Sequence, residues 1–402
     1  MLGSIYIGLS GMTAFSKGLN AISNNVANLN TPGFKTSQPT FLDVLFQNGG
    51  GPMPGSGGAS TSGAGVDIDT TRQSFSQGEL RDTGNPLDVA IDGDGYFVIE
   101  RGDDWLFTRA GQFQFDKDGV LVDRTTGAKA LVTTDTASSI PFSLDPYRVF
   151  APKATTVVNL TGTLARTGTG TFDLANVAVL DAGGGTQTLK AHFARHDDDP
   201  LTWTVEISNS DNEVLGHGDL KFAADGTPAE GNAPITVTVE PKDQESFSFD
   251  VKMGDTGSFT GITSASSAAA SAVTVAKRDG TQLGTLTATA FDDHGRITLT
   301  YSNGEKLTPA TLLLAQFNAP DQFRSLGGGL LTALDHGRPQ LAVAQTEGRG
   351  RIVGSKVEMS NVDLTQQFSD LIIIQRGFQA SSQMTSVANE MIQQLLAMEN
   401  KP

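Results

Sequence analysis

Apolar residues near each end of the chain recur at spacings of three and four, the pattern of an amphipathic helix. The N-terminal stripe contains Leu2, Ile5, Leu9, Met12, Phe15, Leu19, Ile22, Val26 and Leu29. The C-terminal stripe contains Leu364, Phe368, Leu371, Phe378, Ile392, Leu395 and Met398. Glycines inside them, such as Gly11 and Gly377, are expected to weaken both helices. Because neither helix can bury its stripe alone, we expect residues 1–34 and 360–402 to form one helical domain in which the helices pair as a coiled coil.

Polar and helix-breaking residues indicate where these two helices end and begin. Four asparagines crowd the last turns of the first helix, at Asn24, Asn25, Asn28 and Asn30. Pro32 cannot continue that helix, and Gly33 can adopt a positive φ. At the other end of the chain, Asp363 followed three residues later by Gln366 predicts a capping box at the start of the last helix.

Between the helices the period of the apolar pattern changes to two, which is typical of half-buried strands. Short alternating segments separated by Asp-Gly turns predict one β-rich domain over 75–150, which the segment 308–359 completes. A segment rich in Thr, Val and Gly, 151–307, alternates in the same way and predicts a second β domain inserted into the first. The fold class is therefore predicted as mixed and mainly β, with two nested β-rich domains and paired terminal helices.

Residues 35–74 are predicted to connect the first helix to the first β domain. The stretch from Asn48 to Gly65 is rich in Gly, Pro and Ser, which is typical of a flexible linker. A phosphate-binding loop is the alternative interpretation, but the Gly-Lys-Ser/Thr ending that such a loop requires does not occur there.

Composition narrows the classes of function. The chain has 28 basic and 44 acidic side chains in 402 residues, and its net charge of −16 argues against nucleic acid or an anionic membrane as a partner. It has no cysteine, which excludes disulfides and thiolate metal sites. Its apolar runs are far shorter than the roughly 18 residues of a membrane-spanning helix. These short runs predict no membrane insertion. No basic residue precedes Lys17, so we do not expect an ordinary secretory signal either.

Two clusters of polar residues have the types of side chain that bind metals, but their context disfavours metal binding. His192 and His196 have a ligand-like spacing beside Asp197–Asp199, yet an alternating strand would place both on its polar face. Asp116 and Asp118 imitate part of a calcium loop that lacks its other ligands, and the Asp-Gly dipeptide that follows is a strong turn signal. No His-Glu-x-x-His or Gly-x-Ser-x-Gly string occurs. We therefore predict no catalytic, metal-binding or cofactor-binding residues, and no enzyme.

Both ends of the chain carry strings that resemble a known family. Asn24-Asn25-Val26-Ala27-Asn28 followed by Thr31-Pro32-Gly33-Phe34-Lys35 resembles the N-terminal signature of the axial proteins of the bacterial flagellum, which are rod, hook and hook-junction subunits. Ser360-Asn361-Val362-Asp363-Leu364, followed by Gln375-Arg376-Gly377-Phe378-Gln379, is similar to their C-terminal signature. Asn85–Ile91 and Thr108–Phe113 resemble the β core of the family, and the segment from Val177 to Gly226 resembles the outer domain of hook subunits.

The resemblance implies a structural subunit of the flagellar hook, which forms a flexible helical tube of many copies and transmits torque from motor to filament. It also implies export by the flagellar type III apparatus, a final location outside the cell, and contacts with hook cap, distal rod and hook-filament junction proteins. A distal rod subunit and a surface adhesin built from β sandwiches are the alternatives. The expected assembly interface contains Leu9, Met12, Leu19, Ile22, Asn24, Asn25, Val26, Asn28, Thr31, Pro32, Gly33, Phe34, Lys35, Asn361, Val362, Asp363, Leu364, Phe368, Leu371, Gln375, Phe378, Ile392 and Leu395.

Overall fold

A computed structural model describes residues 2–47, 61–134, 139–240, 245–268, 270–317, 323–334 and 339–399. Over these residues the chain is mainly β, with helix α1 at Leu2–Ala27 and helix α2 at Leu364–Glu399, as the sequence predicted. The chain divides into two compact units. The first unit contains Met1–Asp145, Thr289–Thr298 and Leu307–Pro402, and the second contains Pro146–Ala288 and Leu299–Lys306.

The strands of the first unit are β1 (Ser37–Gln47), β2 (Thr61–Gln73), β3 (Leu80–Asp82), β4 (Val89–Asp92), β5 (Tyr96–Arg101), β6 (Asp104–Thr108), β7 (Phe113–Phe115), β8 (Leu121–Asp123), β9 (Lys129–Thr133), β10 (Ser139–Pro141), β24 (Leu314–Gln316), β25 (Phe323–Gly327), β26 (Leu330–Ala333), β27 (Gln340–Ala342), β28 (Arg351–Gly354) and β29 (Lys356–Glu358). Those of the second unit are β11 (Val149–Phe150), β12 (Val157–Ala165), β13 (Thr171–Leu180), β14 (Thr186–Arg195), β15 (Thr202–Ser208), β16 (Val214–Lys221), β17 (Ile235–Val239), β18 (Phe247–Lys252), β19 (Ile262–Ala265) and β20 (Ala272–Arg278). The remaining strands, β21 (Gly284–Phe291), β22 (Arg296–Tyr301) and β23 (Lys306–Leu312), each contain residues of both units, and a short 3-10 helix spans Asp145–Tyr147.

The two helices pack against each other in opposite directions through small residues. A β-carbon at Gly11 would lie 2.6 Å from Ser381 Oγ, and one at Gly377 would lie 2.5 Å from the ring of Phe15. Toward the other end of α1, the side chain of Asn25 reaches Gln367. The glycines expected to weaken the helices therefore allow the two backbones to approach closely, and larger residues would separate them.

The segment that follows α1 forms an antiparallel hairpin of β1 and β2, with Phe41 of β1 opposite Ile68 of β2. This hairpin lies against α1, where the rings of Phe15 and Phe41 are 5.5 Å apart. Of the predicted Asn48–Gly65 linker, residues 48–60 lie outside the described residues. Thr61 to Gly65 belong to β2, so the linker prediction is wrong for them.

The core of the first unit forms around β5, which pairs with β6, β9 and β24. The apolar residues of these strands form the core, in which Phe97, Phe107 and Ile99 are almost completely buried. Strands β28 and β29 return the end of the chain to this unit by pairing with β4 and β3. Arg351 follows a segment rich in glycine and is nevertheless the first residue of β28, because β4 supplies a partner that the local pattern does not show.

The second unit has one antiparallel sheet and one mixed sheet, and the two share one core. One sheet has the order β13-β14-β15-β16, and the other the order β17-β18-β12-β19 with β20 also on β12. Apolar side chains from both sheets meet around Trp203, which is fully buried.

Candidate assembly site at the chain termini

The N-terminal signature folds into a tight turn at the end of α1. The side-chain amide of Asn28 donates to the carbonyl oxygen of Asn24 (2.9 Å), and the backbone N–H of Thr31 donates to the carbonyl of Asn28 (3.1 Å). Gly33 has a φ of +70°. A β-carbon there would lie 2.7 Å from the backbone nitrogen of Ala110, so this position requires glycine.

A buried carboxylate joins this turn to the strand that precedes α2. Glu358 is fully buried and lies 2.7 Å from Lys35 Nζ and 3.2 Å from Arg109 Nη1. It also accepts a hydrogen bond from the backbone N–H of Gly78 at 2.9 Å. Burial lowers the pKa of Lys35, and the nearby charge of Glu358 opposes that shift. Burial also raises the pKa of Tyr96, whose ring lies 5.1 Å from the Arg109 guanidinium, to about 12.

Two amide side chains connect the end of α1 to the start of α2. Asn25 donates to Gln367 Oε1 and to the carbonyl of Ser37, both at 2.8 Å. Asn361 Oδ1 accepts from the backbone N–H of Thr36 at 2.8 Å, and its amide group donates to the carbonyl of Ser74 at 2.8 Å. We call Asn25, Lys35, Arg109, Glu358, Asn361 and Gln367 the terminal junction.

The first turn of α2 is capped by one side chain. Asp363 Oδ1 accepts from the backbone N–H groups of Thr365 (2.8 Å) and Gln366 (3.2 Å), as the sequence predicted. The second half of the predicted capping box is wrong. The side-chain amide of Gln366 donates forward to Asp370 Oδ1 at 2.8 Å, whereas a capping box would have Gln366 Oε1 accept from the backbone N–H of Asp363.

The structure divides the predicted interface residues into three groups. Buried inside the chain are Ile22, Asn25, Gly33, Lys35 and Val362. Half-buried are Met12, Leu19, Val26, Asn28, Thr31, Pro32, Phe34, Asn361, Leu371 and Ile392. Exposed are Leu9, Asn24, Asp363, Leu364, Phe368, Gln375, Phe378 and Leu395. The buried residues join the two ends of one chain, so in this conformation they present no surface to another copy. The side chains of Leu2 and Met398 are outside the part of the chain that the structure describes.

Large apolar side chains cover the outside of the helix pair. They are Tyr6, Ile7, Leu9, Leu364, Phe368, Ile372, Ile373, Phe378, Met384, Val387, Met391 and Leu395, and we call them the outer helix surface. Ile373 is 65% exposed and Phe368 is 53% exposed. Exposed apolar side chains in this number mark a site of interaction.

The sequence missed some residues that decide this arrangement. Glu358 and Arg109 are 249 positions apart, and nothing in the local pattern shows that they meet. Ile373 and Met384 were also missed, because the predicted stripe assumed that large apolar residues join the helices. The helices meet instead where a glycine of one faces the other, as at Gly11 and Gly377, and Ile373 and Met384 remain exposed.

The polar clusters considered for metal binding have other partners. His192 Nδ1 lies 2.5 Å from Asp173 Oδ1, whereas His196 Nε2 lies 2.8 Å from Thr204 Oγ1. Asp116 Oδ1 accepts from the backbone N–H groups of Asp118 and Val120, which is turn chemistry. Among the described residues, no three His, Cys, Asp or Glu side chains are placed to hold a metal ion. In the same residues, neither helix has a stretch apolar enough to cross a bilayer.

Three family models match the chain in order. They are flagella basal body rod protein at residues 5–35, flagellar hook protein FlgE/F/G D1 domain at 90–141, and flagellar basal body rod FlgEFG protein C-terminal at 354–398. The flagellar hook protein FlgE of Borreliella burgdorferi is 27% identical over 446 aligned residues, which cover 100% of both chains. The chain is thus similar to flagellar rod and hook proteins at both ends, in one internal domain and along its whole length.

Two further comparisons concern hook proteins of this family. The flagellar hook protein FlgE of Escherichia coli is 26% identical over 96% of this chain and 98% of its own length. The crystal structure of Helicobacter pylori flagellar hook protein FlgE2 aligns with a TM-score of 0.49 and 14% identity, over 69% of this chain and 100% of that one. The first and last family models cover the segments that the terminal junction joins, apart from Arg109.

Proposed function

We propose that the chain is the structural subunit of a bacterial flagellar hook, which polymerises into a flexible helical tube and transmits torque from the rod to the filament. The observation that carries this proposal is the outer helix surface, which includes side chains as exposed as Ile373 in a single chain. Burying such side chains stabilises an assembly by about 1.5–3 kcal/mol each. The full-length match to proteins named as flagellar hook proteins supports the same function.

In this proposal the outer helix surfaces of neighbouring copies pack together around a common axis. A contact between two different surface patches that does not close into a ring produces a helical tube. The helices then pair as a coiled coil within the tube, and the second β-rich unit is nested within the first along the chain. The terminal junction makes the helices and the first unit one mechanical element, because its buried bonds connect both helices to the strands.

Bending of the tube is assigned to the second unit, Pro146–Ala288 with Leu299–Lys306. Contacts between such units of neighbouring copies are expected to be modest and polar, so they can slide while the helices stay packed. The subunit has no catalytic role in this proposal. Its partners are other copies of itself, the hook cap, the distal rod, the hook-filament junction proteins and the type III export apparatus, and its final location is the flagellum outside the cell.

Electron microscopy of basal structures isolated from cells that lack the gene tests the function. A complete rod without a hook is the expected result, and re-expression of the gene should restore the hook. A truncated rod would assign the chain to the distal rod instead. Flagella of unaltered structure would remove the whole proposal and favour the surface adhesin.

A further inference from the structure

A cleft of about 760 Å³ in the first unit has a strongly positive lining. It lies between the turn after α1, the end of β2 and the hairpin of β25 and β26. Four cations line it, Lys35, Arg72, Arg109 and Arg324, and no carboxylate does. We call it the cationic cleft. Such a concentration of positive charge is unexpected in a chain whose net charge is −16.

The charges of the cationic cleft are incompletely paired. Arg109 is only 5% exposed, and its Nε has no hydrogen-bond partner although its Nη1 bonds Glu358. Glu358 is a single carboxylate that faces two buried cations. Arg72 and Arg324, on the exposed rim, pair with no carboxylate of the described residues. Arginine donors of this kind bind carboxylates well, and a buried donor without a partner destabilises the fold.

The wall of the cationic cleft is aromatic. The rings of Phe75 and Phe323 meet edge to face at 4.9 Å, and Tyr96 lies 6.0 Å from Phe323. Aromatic walls favour another aromatic side chain. The complementary ligand is therefore a carboxylate next to an aromatic residue.

The chain itself carries such a segment on its surface. The turn between β5 and β6 exposes Asp103, and the first two residues of β6, Asp104 and Trp105, are also exposed, with Trp105 at 42%. The chain's other tryptophan is fully buried. Exposed tryptophans concentrate at binding sites. We call residues 102–105 the acidic tip.

We propose that the cationic cleft of one copy binds the acidic tip of a second copy. Asp103 and Asp104 pair with Arg72 and Arg324 of the other copy, and Trp105 packs against Phe75 and Phe323. Cleft and tip are different patches of the first unit, so the contact is heterologous and can repeat along a helical tube. This inference rests on the proposed function, since it names one contact of that assembly.

Because the chain has no cysteine, single cysteine variants test the contact directly. Ser325→Cys lines the cleft and keeps all four cations, and Asp103→Cys lies on the tip and keeps Asp104 and Trp105. Hooks are isolated from cells that produce both variants and treated with a short bis-maleimide. A cross-link between positions 103 and 325 must join two copies, since no copy has both cysteines. The matched control replaces Asp103→Cys with Asp118→Cys, an exposed aspartate on another turn of the first unit.

We expect the 103–325 cross-link to exceed the 118–325 cross-link by about tenfold or more, as for loss of one strong contact. Adding Arg324→Glu to the Ser325→Cys chain should reduce it about tenfold, and Asp104→Lys on the Asp103→Cys chain should restore it. Hooks that form normally but link position 325 to position 103 no more than to position 118 would overturn this contact and leave the proposed function intact. Failure of the unsubstituted chain to form any hook would remove the proposed function and this contact together.

Discussion

At the scale of single residues, the family signatures act within one chain. Gly33 and Asn25 have no exposed surface of consequence, and their positions are determined by Ala110, Gln367 and Ser37. A short string such as Thr-Pro-Gly-Phe-Lys therefore specifies how the first helix meets the β unit. A substitution in this string is therefore expected to affect assembly indirectly, by disturbing the terminal junction.

Glu358→Gln should destabilise the first unit by about 3–5 kcal/mol, because it leaves two buried cations without their carboxylate. Hydrogen exchange of the buried amides of β5 and β6 measures this loss. Glu79→Gln is the matched control, since its exposed side chain has no partner among the described residues. The control should change stability by less than about 0.5 kcal/mol. Equal effects of the two variants would contradict the assigned role of Glu358.

Asp279 predicts an acid-sensitive contact in the second unit. Burial is the largest influence and raises its pKa, but hydrogen bonds from Thr156 and Val157 together outweigh it and bring the pKa to about 2. A folded pKa below the ordinary 3.8 means that the stabilisation is complete above about pH 4 and is lost as the pH falls toward 2.

Asp279→Asn should therefore lower the stability of the second unit by about 1 kcal/mol at neutral pH, since the side chain is partly exposed. It should also flatten the decline between pH 4 and 2. Fluorescence of Trp203 in a Trp105→Phe background reports unfolding of this unit. Asp255→Asn, at an exposed aspartate of the same unit, should keep the decline. If the stability of the Asp279→Asn variant still declined between pH 4 and 2, other carboxylates would be responsible for the decline.

At the scale of elements, glycine inside the helices stabilises the helix pair, although it usually destabilises a helix. Glycine lowers helix propensity by about 1 kcal/mol relative to alanine. At Gly377, however, a β-carbon would press on the ring of Phe15 at 2.5 Å, so the packing depends on its absence. The closer packing of the two helices offsets the lower helix propensity of glycine.

Gly377→Ala should consequently shift the melting of the helical circular dichroism signal to lower temperature, by the several degrees that about 1–2 kcal/mol produces. Gly3→Ala is the control, because nothing lies within 4 Å of its β-carbon position. That variant should leave the melting temperature unchanged or raise it, as propensity alone requires. If the melting temperature rose in both variants, the contact between the helices would not depend on the absence of a β-carbon at Gly377.

At the scale of the whole molecule, the sequence predicted most elements and few of their partners. The strand Tyr96–Arg101 can be predicted from its own residues, because the apolar run Tyr96–Ile99 is short and buried on both faces. Leu80–Asp82 has no such run and pairs only because Lys356–Glu358 returns from the far end of the chain. The terminal junction was missed for the same reason. Periodicity reports which face of an element is buried, and it does not report what covers that face.

Ile373→Asp addresses what covers the outer helix surface. By the 100° rotation per residue of a helix, Ile373 shares one flank of α2 with Met384, Val387 and Met391, beside the contact with α1. In a single chain this side chain faces solvent, so the change should alter stability by less than about 0.5 kcal/mol. Between copies it would bury a carboxylate without a partner, at a penalty of several kcal/mol.

We therefore expect cells with Ile373→Asp to make the chain in normal amounts, with unchanged helix content after purification, and to form no hooks visible by electron microscopy. Gln383→Asp is the matched control, because Gln383 lies on the side of α2 opposite α1 and is already polar and exposed. Hooks should form in the control. If hooks of normal length also formed with Ile373→Asp, this flank would not be buried between copies. Assembly would then have to depend on the opposite flank, where Phe368 and Phe378 lie, and the same substitution at Phe368 would decide it.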